Sequence, residues 1–330
     1  MRPLGLALVL SALLAPSAQA SRGDLFFETV HYTDNDLDGV HLLRIASATG
    51  AVSTVTSSSA LPPLGEQLFA RSDGTVLVSD GTGSAAVDSG SGQVRKLSFR
   101  VSGQRLGIGN VPIALGFRRS GGADYELPGQ GIFASGPSLG GRLRLIPGSL
   151  RAGRPSGHIA GVIRQLAARD GSIIGEVTTS SAGGTHVFTR FQRFDPRTRR
   201  TRTIVEAPPI RTLAVHEGWG TLPGGGIVVA TGRPQRTVFY VAKPRRGRWA
   251  LHRFAPPWRR PVDDGGIAVT GLPGGDIAIV RQTTADNGGV VLDEGIQVLR
   301  MAPGGRLTTL YERPPSADGD HALGVIAAQP

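Results

Sequence analysis

An all-β fold of repeated four-stranded sheets is what this sequence predicts, and three observations carry it. Short runs alternating apolar and polar residues follow one another along the chain, as half-buried strands do. Between them stand tight turns of Gly, Asp and Asn, residues that tolerate the positive φ a hairpin needs. The turns then recur at Asp73-Gly74, Gly121-Gly122, Asp170-Gly171, Gly224-Gly225 and Gly274-Gly275, spaced 48, 49, 54 and 50 residues apart. One such sheet cannot bury both of its faces alone, so it needs copies of itself.

The clearest copy spans His158 to Glu206. Its strands are expected at Ile159–Ala168, Ile173–Thr179, His186–Phe194 and Thr201–Val205, with Asp195-Pro196-Arg197-Thr198 turning the third into the fourth. At the front of the chain the pattern is incomplete. Asp24–Val30 reads as a strand, His31–Gly39 as a loop, and Val40–Ala46 and Ala51–Thr56 as strands, so a first strand is missing. The full set follows as Gln67–Ala70, Thr75–Ser79, Ala85–Asp88 and Gln93–Phe99. A second turn series, joining third to fourth strands, stands near Gly50, Gly92, Gly140-Gly141, Arg199-Arg200, Gly247 and Gly304-Gly305. The third unit is weakest, with a short Ala123–Leu127 run and a loose Gly148–Gly157 linker. Arg100–Asn110 is too short to be a further unit. At the far end His321–Ala328 is an apolar run with nothing beyond it to pair with, and the simplest partner is the incomplete first sheet. That closes a ring, a six-bladed β-propeller of four-stranded antiparallel blades.

Composition agrees. The chain has 330 residues, long enough for a sizeable core, and its 48 Gly and 23 Pro suit many strands and turns rather than long helices. The first twenty residues stand apart: Arg2, an apolar run Leu4–Leu14, and Ala18-Gln19-Ala20 as a small-x-small site. Together they describe a Sec-type signal peptide cut between Ala20 and Ser21, leaving residues 21–330 as a single propeller domain that is secreted or held in the periplasm or cell envelope. The absence of cysteine excludes a disulfide framework and a lipoprotein anchor, and no later stretch reaches membrane length. A monomer is expected.

The phrases Leu68-Phe69-Ala70-Arg71-Ser72-Asp73-Gly74-Thr75-Val76-Leu77-Val78 and Phe194-Asp195-Pro196-Arg197-Thr198 resemble the blade phrases of six-bladed propellers of the gluconolactonase/regucalcin-like, NHL-repeat and TolB-like groups. The resemblance covers most of the mature chain and belongs to blades, which carry unrelated activities. For the gluconolactonase-like group it implies a divalent metal held at the channel mouth by carboxylate and amide side chains, with a carboxylate or histidine there able to activate water. Glu66, Asn110 and Asp264 have the right chemistry, at the starts of inner strands. His158, His216 with Glu217, Asp263, and Asp318, Asp320 and His321 stand at corresponding positions.

A second metal candidate is read from the residues alone. Asp34-Asn35-Asp36-Leu37-Asp38-Gly39 matches the first half of a calcium loop, with Asp34, Asp36 and Asp38 as ligands for Ca²⁺. Its twelfth position is Ile45 where a bidentate Glu belongs, so an ordinary acidic hairpin competes with it. The loop expected at Ala285–Glu294 carries Asp286, Asn287, Asp293 and Glu294. Trp219, Trp249 and Trp258 are candidates for stacking on a sugar or base, or for packing between blades. No G-x-S-x-G elbow supports nucleophilic hydrolysis.

Charge is unevenly spread. Residues 190–260 hold fifteen Arg and Lys243 against Asp195, Glu206 and Glu217, a local excess of thirteen. The whole chain has a formal charge of +11, so the remainder is acidic by two. Arg197, Arg199, Arg200, Arg245 and Arg246 are the anion-binding candidates, since a guanidinium fork suits phosphate, sulfate or carboxylate. The expectation is an exported binding or scaffold protein for an anionic polymer or an envelope protein. The rival is a metal-dependent hydrolase of the lactonase type at the channel mouth, and enzymatic activity is left open.

Overall fold

A computed structural model gives the fold. It describes residues 20–330 apart from 34–35, 64–66, 103, 107–110, 128–129, 148, 150–164, 168–171, 181–185, 207–209, 212–215, 224, 234–235, 246–247, 260–266, 287–291 and 317–319. The expected leader therefore lies outside the described residues, except for Ala20. Blade one uses β1 (Leu25–Thr33), β2 (Asp36–Ile45) and β3 (Val52–Ser57), and blade two β4 (Gln67–Ala70), β5 (Thr75–Ser79), β6 (Ser84–Asp88) and β7 (Val94–Lys96). A small hairpin, β8 (Phe99–Val101) and β9 (Gln104–Arg105), precedes blade three, which is β10 (Ile113–Phe117), β11 (Ala123–Leu127), β12 (Gly131–Ala134) and β13 (Gly141–Leu145). Blade four is β14 (Gln165–Ala167), β15 (Ile173–Ser180), β16 (His186–Asp195) and β17 (Arg200–Glu206), with β18 (Ile210–Arg211) added on β16. Blade five is β19 (His216–Leu222), β20 (Gly226–Arg233), β21 (Arg236–Arg245) and β22 (Arg248–Arg253), with β23 (Trp258–Arg259) added on β21. Blade six is β24 (Ile267–Gly271), β25 (Ile277–Asp286), β26 (Leu292–Met301) and β27 (Leu307–Ser316), and the last strand is β28 (Asp320–Ala328).

The last strand completes the first blade, as the sequence predicts. β28 pairs antiparallel with β1, joining Leu25 to Ala328, Phe27 to Ile326 and His31 to Asp320. No helix among the described residues is long and apolar enough to cross a membrane.

Alternation along each strand gives each blade two apolar faces, and each face meets a neighbouring blade. On β1, Phe26 and Val30 pack with Val76 and Val78 of blade two, while Leu25 and Phe27 pack with Val280 and Val298 of blade six. Leu77 meets Tyr125 between blades two and three, and Ile132 meets Phe194 between three and four. Phe191 meets Trp219 between blades four and five, and Phe239 meets Ile277 between five and six. Each fully buried large side chain contributes roughly 1.5–3 kcal/mol. The core is thus six layers around a ring.

Three details depart from the sequence reading. The segments 31–39 and 285–294, expected as loops, are largely strand: β1 runs on to Thr33, β2 starts at Asp36, and β25 and β26 pair as far as Asp286 and Leu292. Polar side chains there suggest a loop, but a ladder is held by backbone hydrogen bonds and needs no apolar pattern. The outer strand expected at Gln93–Phe99 is shorter, Val94–Lys96, and Phe99 belongs instead to the hairpin whose β8 lies parallel to β13. Finally, the outer edges of blades four and five are split. Pro256-Pro257 falls between β22 and β23, where a residue without an N–H cannot continue a ladder.

Between blades five and six the inner strands touch backbone to backbone. A Cβ added at Gly218 would stand 2.3 Å from Ile267 O, and one at Gly220 2.0 Å from Val269 O. Gly220→Ala is therefore expected to push these blades apart and cost about 1–3 kcal/mol, measured as a lowered urea midpoint. Deleting residues 321–330 removes the inner strand of blade one, and the loss is expected to be ~5 kcal/mol or more, comparable with the stability of a whole domain. A truncated protein whose thermal melt matches the full chain would show that the ring does not depend on this strand.

Candidate functional site

The inner strands β4, β10, β19, β24 and β28 surround a central channel with a cavity of about 270 Å³. Its wall is largely backbone, aliphatic and aromatic, with Phe69, Phe117, Trp219, Leu222, Val269 and Ile326 prominent, and it also carries Arg22, Gln67, Arg71, Thr221, Thr270 and Gln329. The cavity lies toward the end of the ring that carries the first-to-second strand turns, bounded by Arg71-Ser72, Leu222-Pro223 and Pro273. The sequence reading places ligands at the other end.

Polar groups at this end are committed to structure. Arg71 donates from Nε to Asp73 Oδ1 at 2.9 Å, from Nη1 to Gly121 O at 2.5 Å and from Nη2 to Thr75 Oγ1 at 3.1 Å. Its Nη2 also lies 2.6 Å from Asp73 Oδ2, and its guanidinium sits 5.1 Å over the Phe117 ring. The side chain clamps blade two to blade three. Its charge and hydrogen bond hold Asp73 down at about 2. Gln329 Nε2 in turn donates to Arg71 O at 2.5 Å, tying the closing strand to the same turn.

Most of the predicted metal ligands fall outside the described residues. Glu66, Asn110, Asp264, Asp34 and His158 lie outside them, as do Asp263 and Asp318. Asp36 and Asp38 stand on β2, with Asp36 opposite Thr33, and His216 opens β19. The described residues hold no group of three or more His, Asp or Glu side chains fit for a metal.

The three tryptophans pack between blades. Trp219 meets the Phe191 ring edge-on at 5.2 Å, Trp258 stacks on Phe239 at 6.3 Å and lies under Arg281 at 5.1 Å, and Trp249 packs against the layer between blades four and five.

The basic candidates lie on the outer rim. Arg197, Arg199 and Arg200 are exposed in the turn from β16 to β17, and Arg199 adopts φ 56°. Asp195 holds this turn by accepting from Arg197 N at 2.9 Å, and that bond lowers its pKa. Arg202 follows on β17, exposed, beside Arg193 across the strand pair. β17 lies next to β22 of blade five, and on β21, which leads into the third-to-fourth turn of that blade, Lys243 is exposed. Arg246 is outside the described residues. Among the described residues no carboxylate forms an ion pair with Arg197, Arg199, Arg200 or Arg202.

Sequence reading missed a set of buried acids. Glu28, Glu126 and Glu176 each stand fourth in the second strand of blades one, three and four, and none lines the channel. Glu28 is fully buried, and neither carboxylate oxygen has a hydrogen-bond partner. It lies on the face of β1 that meets blade two, so burial, and then the charge of Asp80, push its pKa well above the usual range. Asp80 is likewise buried, its Oδ1 accepting from Thr82 N and Oγ1, both at 2.6 Å. Burial raises Asp124 to about 6, outweighing Arg118 3.5 Å away. Position in a strand hides these groups, because a single polar residue in an apolar alternation looks like a solvent-facing one.

No protein-family profile matches the chain, and no curated protein matches it in sequence. Solved structures align over most of its length at low identity. A protein from Lactobacillus plantarum covers 92% of this chain and 99% of its own, with 11% identity and a TM-score of 0.46. A candidate 6-phosphogluconolactonase from Bacteroides fragilis covers 91% and 98%, with 10% identity and a TM-score of 0.45. A candidate gluconolactonase covers 92% and 83%, with 13% identity and a TM-score of 0.30.

The buried acids set a pH dependence. In the folded chain Glu28 keeps its proton above the pH at which an unfolded Glu releases it, so the unfolded state binds fewer protons and stability falls as pH rises. The slope is about 1.4 kcal/mol per pH unit while one proton separates the states. Asp124 adds a fall of the same sign up to about pH 6. Asp73 and Asp24, whose values are lowered, lose their contributions only as pH drops below the ordinary carboxylate range. Urea midpoints from pH 4 to 8 are expected to decline, and Glu28→Gln to decline less and be the more stable protein at pH 8.

Proposed function

We propose that this protein is an exported binding propeller that takes up an anionic polymer on the outer rim of blades four and five. One observation carries the reading: Arg197, Arg199, Arg200 and Arg202 are exposed without an acidic partner among the described residues, with exposed Lys243 on the adjacent blade. Such a surface recognises charge density rather than sequence, because guanidinium groups meet phosphate, sulfate or carboxylate oxygens through paired N–H donors. The channel plays a structural part, since its described wall is largely backbone and apolar side chains and Arg71, one of the two arginines lining it, is already clamped to Asp73 and Gly121.

The test is retention on immobilised heparin and duplex DNA at two or more salt concentrations. Binding is expected to weaken steeply with salt, as counterions displaced from the polymer return. Changing Arg197, Arg199, Arg200, Arg245 and Arg246 to Gln is expected to lower the slope of log affinity against log salt by about 0.9 for each phosphate contact removed. Equal retention of wild type and variant leaves the rim without a binding role. Metal content and melting with and without a chelator separate this reading from lactonase-type hydrolysis at the opposite mouth, which requires a bound divalent ion.

A further inference from the structure

The position where the expected leader ends is tied into the seam that closes the ring. Ser21 N donates to Asp24 Oδ2 at 2.7 Å, and Ser21 O accepts from Asp24 N at 3.0 Å. Asp24 is fully buried and is the hub of the junction. Its Oδ1 accepts from Ser47 N at 2.7 Å, and its Oδ2 from Arg44 Nε at 2.8 Å, with Arg44 Nη2 at 2.6 Å. Its main chain holds the closing strand, since Gln329 N donates to Asp24 O at 2.8 Å and Gly23 N to Gln329 O at 2.9 Å. Gly23 turns the chain at φ 89°, which returns Ser21 onto the carboxylate. Ser21 itself is exposed, while Ala20 packs against the layer between blades one and two.

We propose that hydrolysis of the Ala20–Ser21 bond converts this contact into an ion pair, making Asp24 the receptor for a new α-ammonium and tightening the ring at its seam. The inference goes beyond the rim reading and rests on the leader expectation. In the covalent step an export peptidase, a hydrolase, directs water onto the Ala20 carbonyl. The C–N bond breaks, Ala20 leaves with a new carboxylate, and the Ser21 nitrogen takes a proton and departs as an amine that is protonated at neutral pH. Before cleavage that nitrogen is a neutral amide with one N–H. Afterwards it is a cation with three, already at hydrogen-bonding distance from a buried carboxylate, so little ordering entropy opposes the pair.

The first measurement is the N-terminal sequence of the exported protein. Ser21 is expected, and any other start overturns the proposal without touching the rim reading. The second compares three forms of the chain from Ser21: free, N-acetylated, and extended by Gln19-Ala20. Acetylation keeps the N–H and removes the charge, so it isolates the ion pair without a substitution that endangers folding. The acetylated and extended forms are expected to unfold about three- to tenfold more readily than the free form, the difference between charged and neutral hydrogen bonds at a partly exposed nitrogen. Amide exchange at Gly23 and Gln329 is expected to quicken first. Equal unfolding of all three forms, or a change in exchange that leaves the seam untouched, overturns the proposal.

Discussion

A ring of sheets has no stable open form, because each blade presents an apolar face on both sides and the first and last blades would leave theirs in water. The pairing of β28 with β1 removes that cost. It adds a full ladder to the first blade and brings Ile326 and Ala327 into the layers on either side. The seam is reinforced where the strand ends, by Asp24 with Arg44 and by Gln329 reaching both Asp24 and Arg71. Breaking a buried pair such as Asp24–Arg44 leaves an uncompensated charge, so the junction resists opening more than its net energy suggests.

Because the blades touch through apolar layers, a polar group inside a layer has large leverage. The hydroxyl pair Ser79–Ser84 is satisfied, at 2.8 Å, and it staples blade two to blade three by receiving Ala114 N and donating to Pro112 O. Glu28 is in the equivalent layer one blade earlier and has no such partner. The two positions show one architectural slot used in opposite ways, one as a bridge between blades and one as a buried acid held neutral by its surroundings. The same closeness explains the glycines of β19: where two inner strands meet backbone to backbone, a single methyl group has no place.

Charge lies on what the ring leaves outside. Inner strands line the channel largely with backbone and apolar side chains, while outer strands and their turns face water and carry charge at little cost to folding. Exposed Arg197, Arg199, Arg200 and Arg202 of blade four stand at that outer edge, and Asp195, which could have neutralised them, is spent holding the turn on which Arg197 and Arg199 stand.

By itself the sequence determined the number of blades, their order and the closing strand. These depend on local rules, the alternation of side chains and the turn residues at Gly74, Gly121, Gly225 and Gly275, all with positive φ in the structure. It located the exposed arginines for the same reason, since a turn faces water wherever the blade lies. The extent of the hairpins at 31–39 and 285–294 was hidden, because strand segments rich in polar residues carry no apolar signature. Only the tertiary structure decided which residues from different blades meet. Glu28 comes to face Asp80, Gly220 comes to touch Val269, and Arg71 comes to be bound to Gly121 and Gln329. These contacts join residues about fifty or more positions apart, and no local pattern encodes them; they arise from the packing of one blade on the next.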